Sequence, residues 1–299
     1  MQKKISLGVV GFSTGNGHPY SWSAIINGFN RNALSSCPFP VIRDYLSNKD
    51  PNKKNFENVK VTHVWTQDVD ISRKIAKFAN IDNISEDLDS MALSVDGILL
   101  ARDDYENHLE NSKIFLRAGL PIYIDKPIAV NRVDLLKIIN AQIYQGQIFS
   151  CSAVKNANEF QISKKEISSY GKIYEIHASA PKDWLKYSIH IIDPVIKIFK
   201  LDSDFKLLKK ETDTKGNHSA SFYWSRGLSV KFSTTGTDSP IFIKIVGDKV
   251  NKKIYFKDSY NAFKNTLELF IFNIKKKDSA TNHDELALAV DIIERGNII

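Results

Sequence analysis

The chain has 299 residues, which exceeds the usual size of one domain, so we expect two domains. Its composition is that of an ordinary globular protein, its two cysteines exclude a disulfide framework, and no stretch approaches the ~20 apolar residues of a membrane span, which together predict a cytoplasmic protein. The net charge of +7 comes from lysines spread along the chain without an aromatic-interleaved basic motif, so we expect no nucleic-acid partner but a small anionic substrate, such as a phosphorylated or nucleotide-linked sugar.

Residues 1–128 alternate between short β-branched runs and helical patterns, which predicts a Rossmann-type, doubly wound parallel sheet that binds a dinucleotide. Residues 30–58, rich in Asn, Pro and Lys, look like an insertion. Asp103 or Asp104 is expected to cap the third helix, and Gly119 to end it. The expected strands are Ile5–Val10, Val59–Trp65, Val95–Ala101 and Leu120–Ile124, and the expected helices are Pro19–Phe29, Ser72–Ala79 and the segment ending at Ala118.

Residues 129–299 have a different character, with strand-like segments at hairpin spacing. Runs of strands after an alternating block predict an α+β domain with a large, mostly antiparallel open sheet, which we assign to substrate binding and oligomerisation. The expected strands are Ile148–Val154, Lys172–Ala178, Ser219–Trp224, Leu228–Thr235, Ile241–Val246 and Lys252–Lys257. The expected helices are Arg132–Tyr144 (capped by Asn131 and stopped by Gly146), Trp184–Phe199, Ala262–Lys275 and Asp284–Arg295.

A glycine-rich segment joins the first strand to the first helix. A dinucleotide-binding fold needs a tight turn here, where the backbone approaches the pyrophosphate at a helix N-terminus. The spacing departs from G-x-G-x-x-G, because Ser13 replaces the second glycine and Gly15 and Gly17 lie one residue to either side of the third. The alternative is a glycine-rich turn that binds nothing. The predicted cofactor contacts in this segment are Gly11, Phe12, Ser13, Gly15, Gly17 and His18.

The residue that would hold the adenosine ribose belongs at the end of the second strand. The acidic residue at this place is Asp68, which favours NAD. Arg73 or Lys74 could instead meet the 2′-phosphate of NADP, and Asp68 is otherwise a plausible helix N-cap. The sequence therefore favours NAD without excluding NADP.

A second motif consists of an apolar strand from Val95, a histidine in the following helix (His108), and a last strand that ends in Asp125-Lys126-Pro127. In order and spacing these residues resemble the Gfo/Idh/MocA family of sugar and cyclitol dehydrogenases, and the resemblance extends more weakly over the whole chain. It implies that Lys126 lies beside the nicotinamide and hydrogen-bonds the reacting hydroxyl. An ammonium at the carboxyl edge of the sheet would stabilise the alkoxide that develops as hydride leaves.

The same resemblance places further cofactor contacts at the carboxyl edge of the sheet, namely Ala101, Arg102, Asp125, Lys126 and Pro127. The Lys126–Pro127 bond is expected to be cis. The alternative interpretation of this corner is a strand-ending turn with a solvated lysine.

The segment from Trp184 to Ile196 resembles the second signature of the family, in which an acid and a histidine four residues later form a proton relay. His190 and Asp193 match its His-x-x-Asp, whereas Lys186 occupies the position of the preceding acid. Because Pro194 cannot donate to the carbonyl of His190, we predict a kink or break there that turns His190 toward the cleft. A purely structural histidine is the alternative.

The helix also has a polar face at spacings of three and four, and an apolar face. The polar face comprises Asp183, Lys186, His190, Asp193 and Lys197, and the apolar face comprises Ile189, Ile192, Ile196 and Phe199. We expect His190 to relay the proton, with Tyr187 as the alternative donor. The expected substrate contacts are Lys126, Lys155, Lys186 and His190.

These patterns and the resemblance predict an NAD(P)-dependent dehydrogenase that transfers hydride to or from a secondary alcohol of a sugar or sugar derivative. The irregular glycine segment and Lys186 leave a second hypothesis open, a catalytically reduced protein that binds a dinucleotide or sugar and acts as a sensor or assembly partner. A lyase or epimerase that keeps NAD⁺ tightly bound is a third. The resemblance also implies a homo-oligomer, either a dimer or a tetramer, and no metal site is expected.

Overall fold

The computed structural model describes residues 4–237, 239–276 and 282–297. The chain divides into two compact units. The first unit comprises Met1–Ile128, Leu136–Ser150 and Phe263–Thr281, and the second comprises Ala129–Leu135, Cys151–Ala262 and Asn282–Ile299. Over the described ranges, none of the helices is long and apolar enough to cross a membrane.

The first unit contains a six-stranded sheet whose neighbouring strands are all parallel. Its order, β3-β2-β1-β4-β5-β6, is that of a doubly wound sheet, so the predicted Rossmann-type fold is confirmed. Because such a sheet is covered on both faces, its central strands and β6 are almost continuously apolar and buried, whereas β2 is partly exposed and β3 is an exposed edge strand. The strands are β1 (Ile5–Val10), β2 (Val59–Trp65), β3 (Asn83–Ile84), β4 (Gly97–Leu100), β5 (Ile122–Ile124) and β6 (Ile148–Phe149).

The helices of this half of the chain are α1 (His18–Asn27), α2 (Pro40–Ser47), α3 (Val69–Phe78), α4 (Leu88–Ala92), α5 (His108–Arg117) and α6 (Arg132–Asn140). Single 3₁₀ segments cover Arg31–Ser36 and Tyr105–Asn107. The predicted cap of the third helix is wrong, because Asp104 makes no side-chain capping bond and Asp103 instead accepts a hydrogen bond from Ser13. The inserted residues 30–58 are partly helical.

Aromatic side chains fill the space on one side of the parallel sheet. Trp22 of α1 stacks on Tyr123 of β5 with ring centroids 4.4 Å apart, and Phe149 packs against Tyr123 edge-on at 4.9 Å. Phe270 belongs to α10 (Ser259–Lys276) and contacts the same two rings. This packing holds the start of α1 and the end of β5 in a fixed geometry.

The second unit contains a six-stranded sheet in the order β12-β11-β7-β10-β9-β8. Only β7 and β10 run parallel to each other in this sheet, so the predicted mostly antiparallel sheet is confirmed. The predicted strand Ile148–Val154 is wrong beyond Phe149, because Ala153–Asn156 forms a 3₁₀ turn. The strands are β7 (Ile173–Ala180), β8 (Phe205–Thr212), β9 (His218–Trp224), β10 (Leu228–Thr234), β11 (Phe242–Gly247) and β12 (Val250–Tyr255).

The helices after α6 that pack with this sheet are α7 (Lys164–Ser169), α8 (Trp184–Tyr187), α9 (Ile189–Phe199) and α11 (His283–Gly296). The predicted break at Pro194 is wrong, because the helix divides at Ser188 and α9 continues through Pro194. Burial of residues 191–196 stabilises the helix across the proline, and tertiary packing thus overrides the local cost of the missing N–H. The predicted apolar face of α9 is buried as expected.

Candidate functional site

Lys126 lies directly after β5, at the carboxyl edge of the parallel sheet. Asp125, Lys126 and Pro127 directly follow the buried strand β5. The Lys126–Pro127 peptide bond is cis, as predicted. Only 5% of Lys126 is exposed, and its Nζ lies 3.8 Å from Oδ2 of Asp103. Asp103 follows β4, the strand next to β5. The sheet therefore places a buried cation and a buried carboxylate side by side.

Ser13 fixes the position of Asp103. Its Oγ donates to Oδ1 of Asp103 at 2.7 Å, and the backbone N–H of Asp103 donates back to Ser13 Oγ at 3.1 Å. The residue that breaks the expected glycine spacing thus has a direct role, since a glycine could not make these bonds. Asp103 was interpreted from the sequence as a helix cap, and only its place after a buried strand could have indicated otherwise.

Asp125 is fully buried and is held by two side chains of the loop before α1. His18 Nδ1 lies 2.5 Å from Asp125 Oδ2, and Asn16 donates to the same oxygen at 2.7 Å. Burial alone would raise the pKa of Asp125, but the neighbouring His18 and Lys126, together with the Asn16 hydrogen bond, hold that pKa below its ordinary value. Asn16 was not singled out from the sequence.

His18 itself is enclosed by aromatic rings. It stacks on Trp22 at 5.0 Å and meets the edge of Phe263 at the same distance. The imidazole is therefore fixed in contact with Asp125, so its side chain belongs to the support of the Asp125-Lys126-Pro127 corner.

The three glycines of the loop, Gly11, Gly15 and Gly17, are accommodated for different structural reasons. A Cβ on Gly11 would lie 2.7 Å from Pro19, and a Cβ on Gly17 would lie 2.5 Å from Ile42 of the inserted helix α2. Close packing therefore accounts for both. Gly15, in contrast, has φ +84°, and a Cβ added there would have no described atom within 4 Å, so the loop faces open space at this residue.

The loop fits a pyrophosphate at its tip. Thr14 and Gly15 are exposed, and among the residues with described positions none accepts a hydrogen bond from either backbone N–H. The first turn of α1 contributes little, because the N–H of His18 already donates to Asn16 Oδ1 at 2.8 Å and Pro19 has no N–H. Donors for a phosphate therefore come from the loop tip rather than from the helix N-terminus.

The end of β2 is tied to the glycine loop by Gln67, a residue that the sequence did not bring forward. Gln67 Oε1 accepts from the N–H of Phe12 at 2.9 Å, and its Nε2 donates to the carbonyl of Phe12 at 2.5 Å. Asp68 caps α3, accepting from the N–H groups of Asp70 and Ile71. The capping alternative for Asp68 is therefore the arrangement that the structure has.

Arg102 extends this network across the carboxyl edge. It binds both oxygens of Asp104 at 2.9 and 2.6 Å and donates to Gln67 Oε1 at 3.2 Å. Although burial favours the neutral acid, the bonds from Arg102 and Asn107 lower the pKa of Asp104. Ala101, the preceding residue, is fully buried and donates its N–H to the carbonyl of Val10.

His108 links two backbone segments at this edge. Its Nε2 lies 2.7 Å from the carbonyl of Arg102, and its Nδ1 lies 3.0 Å from the carbonyl of Ile128. The ring is fully buried. The histidine of the sequence motif therefore connects the end of β4 to the residue after Pro127 and so helps to fix the Lys126 corner.

The second unit holds a separate cluster around the start of α9. His190 Nδ1 lies 2.7 Å from Ser152 Oγ, and the N–H of Ser152 donates to the buried Asp193 Oδ2 at 2.7 Å. Ser152 Oγ also accepts from the N–H of Val154 at 3.3 Å. A hydroxyl has one proton to donate and two lone pairs, so Ser152 can hold Nδ1 of His190 in either tautomer of the ring. The hydrogen bond therefore fixes the orientation of the imidazole.

Lys155 lies next to this cluster. Its Nζ is 2.7 Å from Glu285 Oε2 and 4.0 Å from Asp193 Oδ1. Burial would lower the pKa of Lys155, but the carboxylates of Asp193 and Glu285 raise it, so the side chain is a permanent cation. Burial raises the pKa of Asp193, against the effect of Lys155 and of the Ser152 N–H. The predicted substrate contact at Lys155 is therefore a side chain already engaged by two acids.

The remaining predicted residues lie in and beside α8. The ring of Tyr187 meets that of His190 edge-on at 5.4 Å, and its hydroxyl accepts a hydrogen bond from Lys182 Nζ. The N–H of Lys186 donates to Asp183, which caps the helix. Tyr187, His190 and Lys186 thus share one short segment, as the sequence predicted from their spacing.

Comparison with known proteins shows that the chain shares its fold with solved structures of inositol dehydrogenases, which confirms the fold expected from the resemblance. One similar structure is myo-inositol 2-dehydrogenase from Lactobacillus plantarum, with a TM-score of 0.74 and 12% identity, covering 98% of this chain and 96% of the other. Another is scyllo-inositol dehydrogenase from Lactobacillus casei with bound NAD(H) and scyllo-inositol, with a TM-score of 0.70, 13% identity, and coverage of 98% and 96%. No family model and no curated protein sequence matches the chain.

Proposed function

We propose that the protein is a nicotinamide-dinucleotide-dependent oxidoreductase that transfers hydride to or from a secondary alcohol of a sugar, a cyclitol or a derivative of these, including phosphorylated and nucleotide-linked sugars. The observation that carries the proposal is Lys126, buried at the carboxyl end of β5 with Asp103 beside it. The proposal is supported by the fold, which the chain shares with inositol dehydrogenases.

In this proposal Lys126 binds the reacting hydroxyl and stabilises the negative charge that its oxygen acquires. Asp103 lies 3.8 Å from Nζ, and Ser13 orients its carboxylate. The role proposed for His190 is to take or give the hydroxyl proton, while Ser152 holds its ring at Nδ1. Tyr187 is the alternative donor.

The cofactor, when bound, accepts or supplies the hydride. The pyrophosphate would be held by the N–H groups of Thr14 and Gly15 at the loop tip. NAD is favoured over NADP because two cations near the expected ribose position are already paired, Arg73 with Asp70 at 2.7 Å and Arg102 with Asp104 at 2.6 Å. A 2′-phosphate would have to displace one of these carboxylates or bind to the exposed Lys74.

A second candidate is a catalytically reduced binding protein of the same fold. Two observations favour it, the loss of donors from the first turn of α1 and the presence of Lys186 where the resemblance requires an acid. Both proposals include a homo-oligomer. Exposed apolar side chains on the second sheet support it, among them Tyr174, Leu208 and Tyr255, which are 44%, 53% and 40% exposed.

The test begins with fluorescence titration of the purified protein with NADH and NADPH. We expect saturable binding of NADH and weaker binding of NADPH. Turnover is then followed at the NADH absorbance band with a panel of cyclitols, sugars and sugar phosphates.

Lys126→Ala should leave NADH affinity within about twofold of wild type and reduce turnover about 10²–10³-fold, since a preorganised donor to the reacting oxygen is lost. NADH binding with no turnover on any panel member would favour the binding protein. Lack of any dinucleotide binding would overturn the oxidoreductase, and lack of both dinucleotide and sugar binding would overturn both candidates.

A further inference from the structure

A cavity of about 770 Å³ lies within the second unit, near the C-terminal end of α9. Its wall is built by residues 160–171, by the last turn of α9 and by the first residues of β7 and β10. His190 lies at the other end of the same helix, so the cavity is distinct from the cluster around Ser152. A cavity of this volume is typical of small-molecule sites.

The floor of the cavity is apolar. Phe160, Phe199 and Leu228 are buried, and Ile167 and Ile173 are partly exposed beside them. These side chains come from four separate segments of the chain. Such a floor favours a ligand with an apolar body.

The polar part of the wall is cationic, with Lys164, Lys197, Lys200 and Arg226. None of the described residues that line the cavity is an aspartate or a glutamate. Within the part of the chain that the structure describes, no ion pair joins any of the four cations to a carboxylate. The cavity therefore has a positive potential that its own residues do not neutralise.

Lys197 is a cavity cation whose hydrogen-bond partners are uncharged. Its Nζ contacts three uncharged oxygens, the carbonyl of Lys155 at 3.3 Å and the side chains of Asn156 at 3.2 Å and Gln161 at 3.1 Å. Burial lowers the pKa of Lys197 and the nearby Lys155 adds to that effect, while Glu285 and Asp193 act against it without reversing it. An anion in the cavity would relieve this unfavourable environment.

The guanidinium of Arg226 is a second cation, at the rim of the cavity. One Nη donates to the carbonyl of Phe199 at 2.9 Å, which orients the guanidinium and leaves further N–H donors for a ligand. Cations near a helix C-terminus are favourable in themselves, which would account for Lys197 and Lys200. Arg226 and Lys164 come from other segments, so the helix dipole does not explain the whole set.

We propose that this cavity is a second ligand site, which binds a small molecule with a phosphate or carboxylate group on an apolar body. The anionic group would contact Lys197, Lys200 and Arg226, and the apolar body would lie on Phe160 and Leu228. This site does not depend on the proposed oxidoreductase activity, since all its residues lie in the second unit and none belongs to the Lys126 corner.

Isothermal titration with phenyl phosphate, phenol and inorganic phosphate tests the proposal. We expect phenyl phosphate to bind at millimolar concentrations or below, and more tightly than either of the other two probes, because only it carries both groups. Its affinity should fall as salt is added. The double variant Lys200→Gln, Arg226→Gln should weaken phenyl phosphate at least about tenfold, because charge-assisted hydrogen bonds are lost.

Lys215→Gln, in the exposed turn between β8 and β9, is the matched control and should bind as wild type does. Ser168→Trp places a bulky side chain in the cavity without removing a charge and should abolish phenyl phosphate binding, with circular dichroism confirming the fold. Lys126→Ala should bind phenyl phosphate normally, which separates this site from the oxidoreductase proposal. Equal phenyl phosphate affinity in wild type, the double variant and Ser168→Trp would overturn the assignment, as would absence of binding to wild type.

Discussion

Lys155 in the second unit and Lys126 in the first unit are both largely buried, but they differ in their distances to neighbouring carboxylates. Lys155 donates to Glu285 at 2.7 Å and has Asp193 at 4.0 Å, so two carboxylates surround one ammonium. Lys126 has Asp103 at 3.8 Å, beyond direct hydrogen-bond distance, and that carboxylate is bonded to Ser13 instead. Burial alone therefore does not distinguish a structural cation from a reactive one, whereas the distance to the counter-charge does.

The difference separates two predicted substrate contacts. A lysine held by two acids gains little from a substrate hydroxyl, because the exchange would break an ion pair that is already formed. A lysine whose counter-ion stabilises its charge from a greater distance can bind a developing oxyanion. Within the proposed function, Lys126 therefore has the reactive role and Lys155 a supporting role, which fixes the segment carrying Ser152.

The largest expected difference in stability concerns Lys155→Met. The variant leaves Asp193, whose side chain is 3% exposed, beside Glu285 with Lys197 as the remaining nearby cation, and the free energy of unfolding should fall by about 2–3 kcal/mol. We take the lower part of the usual range because Glu285 is one-third exposed and water screens its charge. Chemical denaturation followed by circular dichroism measures the change.

Lys126→Met is the matched variant, and it should lower stability less than Lys155→Met while abolishing most turnover. Equal losses of stability in the two variants would contradict the distinction drawn from their carboxylate distances. A large rise in KM for Lys155→Met with unchanged stability would restore the substrate contact first expected for that residue.

The next effect concerns Ser152→Ala, which removes the partner of His190 Nδ1. Loss of the two hydrogen bonds of Ser152 Oγ, with His190 and with the N–H of Val154, should lower the free energy of unfolding by about 1–2 kcal/mol. Turnover should fall further than stability suggests, and its pH profile should shift, because Ser152 no longer holds the ring of His190. Ser168→Ala, whose hydroxyl only donates to a carbonyl in the exposed helix α7, is the control and should change neither property. An unchanged pH profile in Ser152→Ala would remove Ser152 from the relay.

The first unit was predictable where the pattern is strong. β1 and β2 have the predicted bounds, because β1 is a nearly continuous apolar run and β2 (VKVTHVW) places polar residues between β-branched ones. The sequence did not predict β3 and α4, because two and five residues are too short to show a period. The contact of residues 30–58 with Gly17 through Ile42 depends on folding and left no signal in the sequence.

The second unit was predicted less completely, for physical reasons. β8, with the sequence FKLLKKET, lies at the edge of the sheet and is mostly exposed, so its lysines obscure the alternation that marks a strand. The position of Lys126 after its strand could be predicted from local sequence and the resemblance. Asp103, Ser152 and Glu285 could not, since each acquires its partner only through contacts between segments distant in the chain.

The smallest expected effect is a pH dependence of the free energy of unfolding. It concerns two carboxylates, Asp125 next to Lys126 and Asp193 next to Lys155. The pKa of Asp125 is lowered in the folded protein, mainly by His18 acting against burial, so ionised Asp125 stabilises the fold. That contribution is fully present above the ordinary aspartate pKa of about 3.9 and is lost as the pH falls through the lower folded value. Asp193 has a raised pKa because burial outweighs Lys155, so its ionisation disfavours the fold as the pH rises through the ordinary value toward the raised one.

Asp125→Asn and Asp193→Asn should therefore respond to pH with opposite sign. The loss of stability caused by Asp125→Asn should be larger at neutral pH than in acid, because only the ionised carboxylate pairs with His18. The loss caused by Asp193→Asn should be smaller at neutral pH, where the wild-type carboxylate already bears the cost of burial. Urea unfolding between about pH 2 and pH 7, a range that extends below the ordinary aspartate pKa, measures both. If the stability losses of the two variants changed with pH in parallel, the surrounding charges and hydrogen bonds would offset the burial of the two carboxylates equally well. Turnover measurements alone would then distinguish a supporting lysine from a reactive one.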